Sequence, residues 1–163
     1  MTPVSGVEAL FELQEQSYAR AGPAVLGSWP PESALDEKEL AHYLGRRDYC
    51  VLATVSRDGR PQARPVSFVV LDGAFWFATG GGARLSNLTR NPHVSVVIAE
   101  GDAGTHVLVL AEGAVEVHES APVVVDAWGR RHGSKPGWAA AFLELRPDRL
   151  FSYRASASLL TQT

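Results

Sequence analysis

The sequence has a single cysteine, Cys50. An intramolecular disulfide is therefore excluded, and nothing points to an oxidising compartment. A basic excess is also missing: 15 Lys and Arg against 18 Asp and Glu leave a formal net charge of −3. Nucleic-acid surfaces normally carry clustered positive charge, so no nucleic-acid partner is expected. No apolar run approaches the ~20 residues that cross a bilayer, and the start, MTPVSGVEALFELQEQ, lacks the basic and apolar regions of a signal peptide. A cytoplasmic protein without a membrane partner is the expectation. There is no internal repeat and no low-complexity tract. His42, His93, His106, His118 and His132 are scattered, with neither H-x-x-x-H spacing nor a C-x-x-C-H haem attachment, so no metal site is expected.

What is present fits one globular domain. The 163 residues are 45% hydrophobic and 20% charged, close to the soluble average. Apolar spacing predicts a helix over 4–20, a Gly/Pro connector over 21–33, and a second helix over 33–47, capped by Ser33 or Asp36. From Tyr49 the pattern turns to strands. YCVLATV, QARPVSFVVL and AFWFAT are joined by tight turns at SRDG and LDG, and Pro65 demands an edge or a bulge. A short helix over 83–90 follows, stopped by Pro92. HVSVVIAE, THVLVLAEGAVEVHE (with Gly113 as a bulge or bend), a helix over 121–131 and one or two closing strands in FLELRPDRLFSYR complete the chain. The fold class is mainly β with peripheral helices, in a small antiparallel barrel.

The stretch GGGARLSNLTRNPHV, residues 80–94, is unusual. Three glycines precede a helix with Arg84 in its first turn, where a cation opposes the macrodipole by about 0.3–1 kcal/mol. An oxyanion would reverse that sign, because glycines admit it to the free N–H groups of the helix start and Arg84 could add a charge-assisted bond. The segment alone reads first as an ordinary Gly-rich loop, with the anion site second. Known phosphate motifs do not fit: there is no Gly-Lys-Ser/Thr, and the glycines do not open the helix of a βαβ unit.

LATVSRDGRPQARPV, the D-G-x-F-W-F-A-T strand and R-L-x-N-L-x-x-N-P stand in that order, with VLAEGAVEV and LELRPDRLFSY behind them. This set, over about residues 36–153, resembles the FMN-binding split-barrel family related to pyridoxamine 5'-phosphate oxidase. The resemblance implies a six-stranded antiparallel Greek-key split barrel over 33–163, preceded by a helical extension over 1–32. It also implies a homodimer with the cofactor in a groove between subunits. Arg64 corresponds to a phosphate-contacting arginine, Pro65, Val66 and Ser67 to residues along the flavin, and Ala78 and Thr79 to the strand end beside it. Arg84 takes the place of a phosphate-binding basic residue, and Leu85 and Asn87 share its cofactor-binding segment. Departures matter too. The oxidase's substrate lysine corresponds to Val69, its flavin-reaching glutamine maps near Leu108, and its C-terminal Arg/His motif is replaced by RASASLLTQT. The likeness therefore carries the flavin fold but not pyridoxamine phosphate oxidation.

The leading expectation is an FMN-dependent oxidoreductase acting by hydride transfer on a small molecule, with no acid or base residue identified. One alternative is a reductase using the deazaflavin coenzyme F-420, whose anionic tail could meet Arg130, Arg131 and Lys135 in WGRRHGSKPGW. Another is a flavin-binding protein without turnover. Haem held by histidine, as in some relatives, ranks last. Trp128 and Trp138 are candidates to stack near the ring if that loop covers the groove, although a cation-rich helix end is the simpler reading. Cys50, in an apolar strand, reads as a buried thiol.

Overall fold

The strand-forming runs pair into one antiparallel sheet, some alternating inward apolar residues with outward ones and others buried along nearly their whole length. In the computed structural model, which describes residues 4–102 and 104–155, the strands are β1 (Tyr49–Val55), β2 (Pro61–Ser67), β3 (Val69–Leu71), β4 (Ala74–Thr79), β5 (His93–Glu100), β6 (Val107–His118), β7 (Ala141–Leu145) and β8 (Arg149–Arg154). Their order is β2-β1-β5-β6-β7-β4-β3, with β8 also on β6. The expected closing strand or strands are β7 and β8.

Eight strands replace the six expected, because two runs are broken. The run 62–71 changes partner at Phe68: up to Ser67 it pairs with β1, Phe68 N–H still donates to Asp48 O at 3.3 Å one step further in the same register, and from Val69 it pairs with β4. The closing run is interrupted at 146–148: β7 takes Val115–His118 of β6 and β8 takes Val107–Glu112. The two halves of the sheet hinge opposite Gly113. A Cβ there would meet Arg146 O, Asp148 N and Leu145 Cδ1 at 3.2 Å, so a side chain would push this approach apart by a few tenths of an ångström. The bend expected at Gly113 is this hinge.

The inner face carries the main core, including Leu52, Phe75, Phe77, Val96, Ile98, Val109, Leu143 and Leu150. Helix α1 (Val7–Arg20) closes one end of it with Val7 and Leu10. The same helix also buries polar groups that are satisfied. Gln14 donates to Leu35 O at 2.8 Å, Leu150 N donates to Ser17 Oγ at 3.0 Å, and Tyr18 Oη donates to Ser152 O at 2.7 Å. The connector expected over 21–33 contains a short helix, α2 (Pro23–Ser28), and a 3-10 turn at Pro31–Ser33. Pro23 sits at the start of α2, where its missing N–H costs nothing. Helix α3 (Glu37–Arg46) is capped by Asp36 in a reciprocal box with Glu39, which decides between the two expected caps.

Helix α4 (Ala83–Arg90) lies against β1 and β2, and α5 (Pro122–His132) covers the outer face of β3 and β4 with a second apolar cluster of Val69, Ala78, Val124, Trp128 and Phe142. No helix among the described residues is long and apolar enough to cross a membrane. Residues 156–163, which hold most of the RASASLLTQT end and the end of the expected 33–163 domain, lie outside the described residues, as do 1–3 of the expected extension.

Candidate anion site between β2 and α4

β2 is an edge strand, which is how the sheet tolerates Pro65. Residues directly opposite in an antiparallel pair share a face. Gln62, Arg64 and Val66 therefore lie on the same side as their partners Thr54, Leu52 and Cys50. Helix α4 rests on that side and is fastened by Asn87, whose Nδ2 donates to Gln62 Oε1 at 2.9 Å and to Thr54 Oγ1 at 3.3 Å. Its Oδ1 accepts from Arg90 Nη2 at 3.3 Å. One turn earlier on the helix comes Arg84, and two residues along the strand comes Arg64. The two cations are brought together by the same docking that Asn87 fixes.

The electrostatics record that proximity. Burial first, and the neighbouring Arg64 second, hold the Arg84 guanidinium below its ordinary value. Arg84 is half-buried, and among the described residues it makes no hydrogen bond or ion pair. Arg64 is exposed, and its Nη1 donates only to the adjacent Ala63 O at 2.9 Å. Two like charges without a carboxylate are costly unless an anion joins them. The helix start beside them has no side-chain cap. Gly82 there adopts φ 121, a region that disfavours side chains, whereas a Cβ on Gly80 or Gly81 would meet nothing of this chain within 4 Å. Paired guanidiniums, free helix N–H groups and open glycines are a donor set suited to a phosphate.

The other sequence-derived candidates scatter. Val66 shares the Arg64 face and is buried, while Pro65 and Ser67 point to the opposite side. Thr79 is 1% exposed and its hydroxyl donates to Gly80 O at 3.1 Å; Ala78 is buried in the second cluster. Leu85 packs partly on the core and lines an outer cleft of about 560 Å³ with Arg57, Ser86 and Arg90. Asn87 is consumed by the fold, as described. Trp128, 5% exposed, is packed within the second cluster and against His132, so its ring has no free face in the protomer; Trp138 is 63% exposed.

Of the proposed tail cations, Arg131 donates to Gly45 O and Arg47 O and pairs with Asp48 at 3.0 Å, and Lys135 pairs with Asp126 at 2.7 Å. Arg130 is exposed without a partner among the described residues. Val69, at the substrate-lysine position, is buried, and Leu108 faces a pocket with Trp29, His106 and Tyr153. Cys50 proves buried, its thiol pushed up to about 12 by desolvation while Arg84 pulls the other way. Strand alternation in the sequence sets Gln62 on the Arg64 face but gives it no role; that it faces α4 and orients Asn87 depends on the β1–β2 register.

The family model described as pyridoxamine 5'-phosphate oxidase matches residues 36–156. No curated protein matches the sequence. Among solved structures, a conserved hypothetical protein from Mycobacterium tuberculosis superposes with a TM-score of 0.70 at 24% identity, covering 83% of this chain and 94% of that one. An FAD-binding protein from Mesorhizobium loti gives 0.61 at 19% identity, covering 76% and 97%. A heme storage protein, HutZ, from Vibrio cholerae gives 0.61 at 23% identity, covering 71% and 92%. At these identities the likeness is one of fold.

Proposed function

The chain belongs to the pyridoxamine 5'-phosphate oxidase family, and from that premise we propose that it binds FMN and acts as a flavin-dependent oxidoreductase on a small molecule. The observation that carries the reading is Arg84: half-buried, without a hydrogen bond or ion pair among the described residues, and near enough to a second guanidinium, Arg64, to feel its charge. Arg64 and Arg84 would hold the phosphate, with the uncapped start of α4 adding backbone donors. When bound, the flavin supplies the hydride chemistry. The chain's part is to fix the phosphate, wall one side with Val66 and Leu52, and keep Cys50 out of the chemistry as a buried, protonated thiol. No side chain is assigned as acid or base.

A homodimer with the groove between its subunits is part of the proposal. Its support is an apolar patch on the outer face of the sheet. Val51 is the ladder partner of both Pro65 and Val97, and Tyr49, Val51 and Val97 are all exposed large hydrophobics. This patch lies on β1 and β5, on the face opposite Arg64 and next to the edge strand β2 that carries it, so a second copy covering it would lie near that edge.

The F-420 reading needs free cations for an acidic tail, and the engagement of Arg131 and Lys135 within the fold favours FMN over it. Titrating the purified chain with FMN, riboflavin, F-420 and haemin, by fluorescence quenching and absorbance, tests the choice. FMN binding far tighter than riboflavin supports the proposal. Preference for F-420 or haemin, or no flavin binding at micromolar concentration, overturns it. Bound FMN that neither NADH nor NADPH nor a reduced donor reduces would leave a binding protein without turnover.

A further inference from the structure

The β6–β7 register brings together three donors that lie far apart in the sequence. Glu116 and Glu144 are direct ladder partners, and His118 is on the same face two residues along β6. His118 Nε2 lies 2.9 Å from Glu144 Oε2 and 3.9 Å from Glu116 Oε1. One ligand atom from each of the three residues falls within 4.8 Å of the others. The Trp76 ring, on the neighbouring strand, packs against the imidazole with centroids 5.2 Å apart.

Carboxylates directly opposite on adjacent strands repel. Glu144 is answered: its side chain is 11% exposed, and its oxygens meet His118 and, at 2.7 Å, Arg146. Glu116 is not; among the described residues its one ionic contact is the 3.9 Å approach to His118. Donors of a tetrahedral ion with bonds of about 2.0–2.2 Å stand roughly 3.3 Å apart. The two separations from His118, 2.9 and 3.9 Å, bracket that spacing, and Glu116 is free to close in because its side chain is 75% exposed. The three residues sit on paired strands, the Trp76 indole packs on the imidazole, and imidazole with two carboxylates suits borderline divalent ions.

We propose that Glu116, His118 and Glu144 form a binding site for a zinc-class divalent cation, with water completing the shell. The site lies on the outer face of β6 and β7, apart from the Arg64–Arg84 pair, and does not depend on the flavin reading. It departs from the expectation of no metal site, because cross-strand register supplies a spacing that the sequence hides.

Calorimetric titration of the tag-free full chain with Zn²⁺ tests it. Saturable uptake is expected, weakened by about tenfold or more in Glu116→Gln and in His118→Ala. Glu116→Gln alters an exposed side chain, so it separates ligation from folding. Co²⁺ should quench the fluorescence of Trp76, Zn²⁺ should reverse the quenching, and the effect should vanish in Trp76→Phe while Zn²⁺ uptake persists. No saturable uptake at millimolar Zn²⁺, or uptake of unchanged affinity in both ligand variants, overturns the site and leaves an ion-pair network.

Discussion

Replacing Arg84 by Met separates the phosphate-holding role of the guanidinium from any role in the fold. The methionine keeps most of the stem's packing and removes the charge. In the free protein that charge is unfavourable twice over, through burial and through Arg64, and no hydrogen bond or ion pair among the described residues is lost with it. Arg84→Met should therefore leave the melting temperature of the free protein unchanged or raise it. With FMN the sign reverses. A charge-assisted hydrogen bond contributes about 1.5–3 kcal/mol, so the dissociation constant should rise by about 10- to 150-fold. Riboflavin shares the ring but lacks the phosphate, and its affinity should not move.

The assay is flavin fluorescence quenching with both ligands on wild type and variant, beside thermal unfolding of each free protein. The FMN affinity of the wild type should also fall with salt, and that of the variant less steeply. Equal weakening of FMN and riboflavin would refute the reasoning, because the residue would then shape the pocket without holding a phosphate. Lower stability of the free variant would refute the electrostatic half, because Arg84 would then be supporting the fold.

Other expectations follow from single residues. Gly82→Ala, at φ 121, should cost about 1–3 kcal/mol of stability, measured by urea unfolding, whereas Gly80→Ala and Gly81→Ala, which meet no contact, should be near neutral in the free protein. Asn87→Ala leaves Gln62 and Thr54 without their donor and should cost about 1–3 kcal/mol, with FMN affinity falling as α4 loosens. His132 is held below its ordinary value of 6.5, first by burial, although its Nε2 donates to Phe68 O at 3.1 Å. The unfolded chain then binds the extra proton, so stability is full above 6.5 and falls as pH drops through the folded value; His132→Gln should flatten that slope in denaturant titrations between neutral and mildly acidic pH. Cys50, buried with its thiol pushed up to about 12, should resist iodoacetamide until the chain unfolds, as mass spectrometry of the labelled protein would read.

Much of this architecture is legible in the sequence wherever a local rule decides. Helix α4 runs Ala83–Arg90 as read, because Gly82 opens it and Pro92 follows its end. Pro65 announces an edge and Gly113 a bend, and both are found. The reading fails where long-range geometry decides. Nothing near Phe68 shows that the run would change partner there, from β1 to β4. Nothing in RLSNL shows that Asn87 would be spent on Gln62 and Thr54 and not on a ligand. The family pattern locates Arg64 and Arg84 but cannot say which neighbours the fold consumes.

The basic residues show why that distinction carries the functional argument. Sequence gives every arginine the same charge, and the segment 130–135 holds more basic residues than the 64/84 pair. In the fold its charges are largely spoken for: Arg131 ties the ends of α3 and β1 to α5 through Gly45, Arg47 and Asp48, and Lys135 closes onto Asp126. Arg154 likewise binds Glu39, and Arg46 binds Glu100. A cation with its carboxylate in place gains little from an incoming phosphate, because the ligand must first displace that partner. Arg84 has no such competitor among the described residues and has already lost part of its hydration to burial. An anion that bridges it to Arg64 relieves a repulsion the free protein carries, which is why binding, and not folding, is where these two residues should register.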